Sequence, residues 1–310
     1  MSTIYDVPRK IWASFVSWLP VVADRRVRVA AWVTLTVQTL IVVTGGAVRL
    51  TASGLGCPTW PKCTPDSLIN TPEMGIHGVI EFGNRLLTFV LVIVAIGAFV
   101  MILRMRKQRR DLFWLTLLIG LGIPAQAVIG GISVLTMLNP YVVGFHFVVS
   151  IAMIVLSTIL VYRAYRGNES RTWSAKPVVV RIAIALAVSE AITLCFGILT
   201  TGSGPHAGDA QAPRNGLDSD LLQHIHSYPA YISLGLAILL LVISIASSNK
   251  PIRKAVIALL AVNTAQVIVG ISQSQLGLPE LLVGLHMLLA CLVSSAVTLV
   301  LLNLRSPVRR

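Results

Sequence analysis

Apolar residues in this chain run in long, nearly unbroken blocks, not at the two- or 3.6-residue spacing of half-buried strands and helices. Eight blocks, roughly 29–49, 75–103, 112–135, 140–163, 178–200, 220–247, 254–275 and 280–304, reach the length of about 20 residues that one helix needs to cross a bilayer. The pattern predicts an all-α membrane protein with eight transmembrane helices, and little chain is left for a soluble domain. The residues before the first block are too many, and its apolar run too late, for a cleavable signal peptide, so the first span is read as retained.

Composition agrees: the 310 residues are 55% hydrophobic and 12% charged, with a mean hydropathy of +0.81. The net charge of +13 would suit a nucleic-acid partner if it gathered on one folded face. Here it lies in short runs between apolar blocks, so no nucleic-acid binding is expected. Those runs instead fix topology. The N-terminus (Arg9, Lys10, Arg25, Arg26, Arg28), the 104–110, 163–181 and 250–254 loops and the tail (Arg305, Arg309, Arg310) hold 21 of the 25 basic residues. Arg49, Lys62 and Arg214 lie on the other side and Arg85 within the second span. The positive-inside rule then places both termini in the cytoplasm, with long outer loops at 50–74 and 201–219.

The two halves resemble each other. At an offset of 140, Ala125-Gln126 matches Ala265-Gln266, Gly130 matches Gly270, and Val143-Gly144-Phe145-His146 matches Val283-Gly284-Leu285-His286. At an offset of 142, Glu81-Phe82-Gly83-Asn84-Arg85 falls over Gln223-His224-Ile225-His226-Ser227. The expected architecture is two tandem-duplicated four-helix bundles, 1–165 and 166–310, related by an axis along the membrane normal. Each could house a cofactor between facing helices.

Five of the six histidines, His77, His146, His224, His226 and His286, open spans that start on the outer side, so they share a depth in the outer leaflet; His206 lies in the second outer loop. An imidazole inside a membrane is costly unless it is hydrogen-bonded to a neighbouring helix or ligates. Two of them at matched repeat positions, His146 and His286, with His226 on a facing helix, favour ligation. Zinc and copper sites gather three or four ligands, whereas one imidazole from each of two helices suits the axial positions of a haem. His226 and His286 make the strongest pair. In the N-terminal half Asn84 stands where His226 stands in the other, and asparagine is a poor iron ligand. His77, two turns nearer the outer surface on the same face, is the candidate substitute partner for His146.

Glu81 lies between His77 and Asn84. It could simply pair with Arg85 at i+4, or it could serve as the acid or base of a reaction that the other half, with Gln223 at the nearest position, does not perform. Cys57 and Cys63 lie close in sequence in the first outer loop, on the oxidising side, and a disulfide is expected; free thiols or a redox-active pair are the alternatives. Cys195 and Cys291 read as small apolar residues within spans. Glu190 reads as a helix-packing or interfacial residue, and the cysteine-free 201–219 loop as a flexible cap.

With these residues in view, the chain resembles the haem A synthase family, membrane enzymes that convert haem O to haem A for cytochrome oxidases. The resemblance rests on Gly45-Gly46-Ala47-Val48-Arg49-Leu50-Thr51, Ser53-Gly54-Leu55-Gly56-Cys57-Pro58, Trp60-Pro61, the segment from Glu81 to Arg85, Gly202-Ser203-Gly204-Pro205-His206, and the histidines opening spans 4, 6 and 8. It implies an oxidoreductase that carries haem b on His226 and His286 and binds the substrate haem O around His146, with Glu81 catalytic and Cys57–Cys63 as the loop disulfide. The reaction implied is oxidation of a haem methyl to a formyl group through hydroxylated intermediates. Haem O synthase and cytochrome oxidase assembly factors are the implied protein partners; the oxidant, the electron partner and self-association stay open. Asn84 departs from the family, which commonly has histidine there, as does the lack of a second cysteine pair in 201–219. Two other readings compete. A dihaem b-type electron carrier would have two equivalent sites and no special carboxylate, and a transporter would have polar residues near mid-membrane.

Overall fold

The computed structural model describes residues 6–169, 171–247 and 249–307. Eight long helices span the membrane, α2 (Arg25–Leu50), α3 (Gly75–Ile102), α4 (Arg110–Leu135), α5 (Pro140–Ala164), α6 (Pro177–Ser203), α7 (Ser219–Ala246), α8 (Lys250–Gln275) and α9 (Glu280–Asn303). They coincide with the eight apolar blocks to within a few residues. Their starts follow local chemistry: Asp24 accepts from the backbone N–H of Arg26 and Val27, and Asp218 from Asp220 and Leu221. Pro140, Pro177 and Pro251 occupy first-turn positions, where no backbone donor is needed.

Two features escape the block pattern. Residues Asp6–Trp18 form a helix, α1, ahead of the first span. It exposes Ile11, Trp12, Phe15 and Trp18, a spacing legible as amphipathic but too short to register as a span. Arg104 ties it down by donating to the carbonyls of Val16, Ser17 and Leu19. The second feature is a two-stranded ribbon in which β1 (Arg171–Trp173) pairs antiparallel with β2 (Arg305–Pro307). Arg309 and Arg310, part of the basic tail, lie outside the described residues.

Within the first four spans α2 packs on α3 and α5, and α4 on α3 and α5; within the last four α7 packs on α6 and α8, and α9 on α6 and α8. The two groups meet where α2 and α5 lie against α9. Each group has its own core, and both cores sit at the end where the basic loops gather. One is built around Val27, Ile102, Leu112, Ile119, Leu160 and Ala164, the other around Ala183, Leu186, Leu240, Val256, Leu259 and Val300. The bundles are thus closed by side-chain packing at the basic end, and the histidines occupy the opposite end.

The turns joining α4 to α5 and α8 to α9 have the same form. Leu138 and Leu278 both adopt left-handed backbone, at φ 58° and 62°. Each N–H reaches back to a carbonyl five residues earlier, Ser133 and Gln273, at 2.7 Å.

The 201–219 segment is packed, not a loose cap. Arg49 donates to the carbonyls of Thr201 and His206. The Gly54 N–H donates to the Gly208 carbonyl at 2.8 Å, and Ala207 and Ala212 bury against Leu138. Burial of its small residues against the first outer loop was not visible from a glycine-rich composition.

Candidate functional site

At the end away from the two cores, imidazoles enter both bundles. His146 is the seventh residue of α5 and His286 the seventh of α9. Each lies over a glycine of the preceding helix: a Cβ on Gly130 would stand 3.3 Å from His146 Cε1, and one on Gly270 3.2 Å from His286 Cε1. Each is accompanied by a glutamine one turn below that glycine. Gln126 Nε2 donates to the His146 carbonyl and to Ser150, and Gln266 Nε2 lies 3.2 Å from His286 Nε2.

His226 approaches from α7. Its Nδ1 is 2.8 Å from the Thr193 carbonyl, which can only accept. Nδ1 therefore carries the proton and Nε2 presents a lone pair, the tautomer expected of a ligating histidine oriented by a backbone carbonyl. Gly197 makes the approach feasible, since a Cβ there would sit 2.8 Å from His226 Cε1. The rings of His226 and His286 stand 6.2 Å apart, centre to centre. Two imidazoles on opposite faces of one metal have centres about 6 Å apart, from two bonds of about 2.0–2.1 Å plus the ring radii. The two rings meet edge to face, their planes 67° apart.

Seven buried side-chain nitrogen or oxygen atoms lack a partner among the described residues, and four belong to this layer: His146 Nδ1, Gln126 Oε1, His286 Nδ1 and Gln266 Oε1. Leaving such an atom bare costs on the order of 1–3 kcal/mol, so this layer carries more unsatisfied polar atoms than any other level of the described bundle. Among the described residues no three His, Cys, Asp or Glu side chains come together to hold a bare ion. One imidazole from each of two helices, with no third protein ligand among the described residues, suits a metal whose remaining positions come from a porphyrin.

The first half differs at the position that corresponds to His226. Asn84 turns toward α2, where its Oδ1 accepts from Thr44 at 2.8 Å and its amide nitrogen would lie 4.0 Å from a Cβ on Gly45. His77 is exposed and hydrogen-bonded through Nδ1 to Ser53 of the first outer loop at 2.9 Å. His224 is also exposed, on the outside of α7, and His206 bonds the Leu278 carbonyl at 2.9 Å.

The first outer loop closes over this half. Cys57 and Cys63 are disulfide-bonded and buried, with Cα atoms 4.4 Å apart. Trp60 lies against Gly131, where a Cβ would stand 2.3 Å from its ring, one residue from the glycine beneath His146. Glu81 is buried and accepts from the Cys57 N–H and from Arg85. Arg85 in turn donates to the carbonyls of Cys57, Thr59 and Lys62. The Glu81–Arg85 pairing anticipated from their spacing is formed, and it does more than neutralise charge, because it fastens the disulfide loop to α3. Sequence spacing gave the pair but no sign of the loop carbonyls that Arg85 collects.

In the second half Glu190 accepts from Ser233 and from Asn263 Nδ2 at 2.9 Å, a helix-packing role. Cys195 and Cys291 are free thiols.

Eight apolar spans with imidazoles gathered at one end define a multi-pass helical membrane protein with buried polar groups between its helices. The chain belongs to the COX15-CtaA family of cytochrome oxidase assembly proteins, whose pattern matches residues 28–298. It is similar to the heme A synthase of Geobacillus kaustophilus, 32% identical over 122 residues, which is 39% of this chain and 38% of that protein. It is also similar to the heme A synthase of Listeria monocytogenes serovar 1/2a, 30% identical over 150 residues, 45% of this chain and 48% of that protein. The matched stretch thus spans less than half the length of these curated relatives.

Proposed function

We propose that this protein is a haem A synthase, an oxidoreductase that converts the methyl group of haem O to the formyl group of haem A for cytochrome oxidase assembly. The observation that carries the proposal is the layer of imidazoles seated over glycines, paired at 6.2 Å in one half and roofed by the disulfide loop in the other. Membership of the family and similarity to proteins named heme A synthase support it.

In this reading the halves, 1–165 and 166–310, are duplicated bundles with different tasks. The shared turn at Leu138 and Leu278 and the shared His, Gly and Gln arrangement support a common origin. His226 and His286 hold a haem b, which supplies one-electron redox chemistry when bound. Thr193 fixes the His226 tautomer, and Gly197 and Gly270 leave both rings room to face each other. His146 holds the substrate iron over Gly130. Asn84 keeps a neutral amide at the position of His226, so the substrate iron either keeps an open face or takes His77. Glu81 stands beneath the loop, where its carboxylate can hold or move a proton at the mouth of the site. Arg85 holds that carboxylate in position, and Trp60 shields the site from water. Both termini lie in the cytoplasm and the haem sites toward the outer leaflet, as the basic loops require.

The test is to purify the protein after expression with a haem O source, extract its pigments and chromatograph them. Haem A or a hydroxylated haem O in the extract supports the proposal. Haem b alone would refute it in favour of a dihaem electron carrier.

A further inference from the structure

At the basic end of the bundle, far from the histidines, a groove of about 410 Å³ opens on the lipid-facing side of α2. Its floor is one stripe of that helix at i, i+3, i+4, i+7, i+8 and i+12: Arg25, Arg28, Val29, Trp32, Val33 and Val37. Tyr165, just past the end of α5, closes one side by accepting from Trp32 Nε1 at 3.2 Å. The stripe runs from charge to a mostly apolar end, broken by the Thr36 hydroxyl, over 12 residues, about 18 Å of helix. That matches roughly one leaflet of the about 30 Å apolar core.

The charged end is unfinished. The Arg28 guanidinium stacks on Tyr165 at 4.8 Å, and its Nε is buried with no partner. Among the described residues neither Arg25 nor Arg28 joins an ion pair, whereas neighbouring Arg26 is taken up by Asp24. Two unpaired guanidiniums over an apolar furrow complement a molecule with an anionic head and hydrocarbon tails. Arginine's planar fork suits a phosphate, whose oxygens accept two donors at once. Basic pockets between spanning helices at such a surface are lipid-headgroup sites.

We propose that this groove binds one acidic glycerophospholipid, its phosphate on Arg25 and Arg28 and an acyl chain along Val29, Val33 and Val37. The bound lipid pairs the two guanidiniums at their accessible ends and covers the exposed Trp32. It tethers the start of α2 to the end of α5, the junction between the first and fourth spans of the N-terminal half.

The test uses the full chain, purified, delipidated and titrated with dioleoyl phosphatidylglycerol or dioleoyl phosphatidylcholine, with bound lipid counted by native mass spectrometry. One phosphatidylglycerol should be retained per chain in preference to the zwitterionic lipid. Arg25→Gln with Arg28→Gln should weaken that retention by roughly 30-fold, the loss expected for two basic side chains at an anionic surface. Val33→Phe fills the furrow on a lipid-facing position and should reduce retention with both arginines intact, which keeps the proposal testable if the double variant folds poorly. Equal retention of the two lipids, or unaltered phosphatidylglycerol binding in both variants, would overturn the site. Displacement of the lipid by millimolar inorganic phosphate would assign the arginines to a free anion and overturn the lipid.

Discussion

Replacing Gly197 by alanine tests the C-terminal site with one methyl group. The new Cβ would stand 2.8 Å from His226 Cε1 and 3.1 Å from Nδ1, whereas unstrained carbon contacts lie at about 3.5–4.0 Å. The imidazole must therefore retreat by about 0.7 Å or more, and it is tethered to the Thr193 carbonyl at 2.8 Å. A ligating constellation tolerates displacements of only about 0.5 Å. Overpacking of this kind costs roughly 1–3 kcal/mol, which corresponds to about 5- to 150-fold weaker haem retention. The helix itself gains, since alanine is favoured over glycine by up to about 1 kcal/mol, so helix content and yield should hold. Gly235→Ala on α7 is the control, because nothing lies within 4 Å of a Cβ there. Gly270→Ala, at 3.2 Å from His286, should fall between the two. Absorption spectra of oxidised and reduced protein, with the haem-to-protein ratio and a thermal melt, give the readout. If Gly197→Ala keeps the haem content and low-spin spectrum of the Gly235→Ala control, His226 does not ligate and the C-terminal assignment falls.

Arg85→Ala should strip the first outer loop of its anchor and leave Glu81 uncompensated, costing about 3–5 kcal/mol of local stability; protection of 57–63 in hydrogen exchange should drop, and unchanged protection would mean that the disulfide alone holds the loop. Glu81→Ala should stop haem A formation while leaving the C-terminal spectrum intact, whereas retained conversion would reduce Glu81 to a loop fastener. Non-reducing peptide mapping should recover Cys57 linked to Cys63, and free alkylation of both in native membranes would contradict it. His146→Ala should abolish conversion; His77→Ala decides the second face of the substrate iron, full loss making His77 a ligand and near-normal turnover leaving that face open. Asn84→His should move the substrate haem toward a low-spin state, since Asn84 holds the repeat position that His226 holds in the other half, and an unaltered spectrum would place Asn84 away from the iron.

The amino-acid sequence by itself determined the eight spans, because a bilayer demands long apolar helices whatever their neighbours do, and α2 to α9 begin and end where the apolar blocks do. It also placed five of the histidines at one depth, since each opens a span entered from the same side. The Cys57–Cys63 bridge and the Glu81–Arg85 pair were legible because both partners are neighbours in the chain. Helix α1 was not, because a 13-residue amphipathic segment carries no length signal, and neither was the β1–β2 ribbon, whose strands lie more than a hundred residues apart. Only the tertiary structure decided that His226 bonds Thr193 while His77 is drawn to Ser53, that Arg85 gathers three loop carbonyls, and that the 201–219 segment packs against the first outer loop. The physical reason is common to all of these. Hydrophobic length is a property of one segment against lipid, whereas the direction of an imidazole or a guanidinium depends on which carbonyls and glycines another helix or loop brings within about 3 Å.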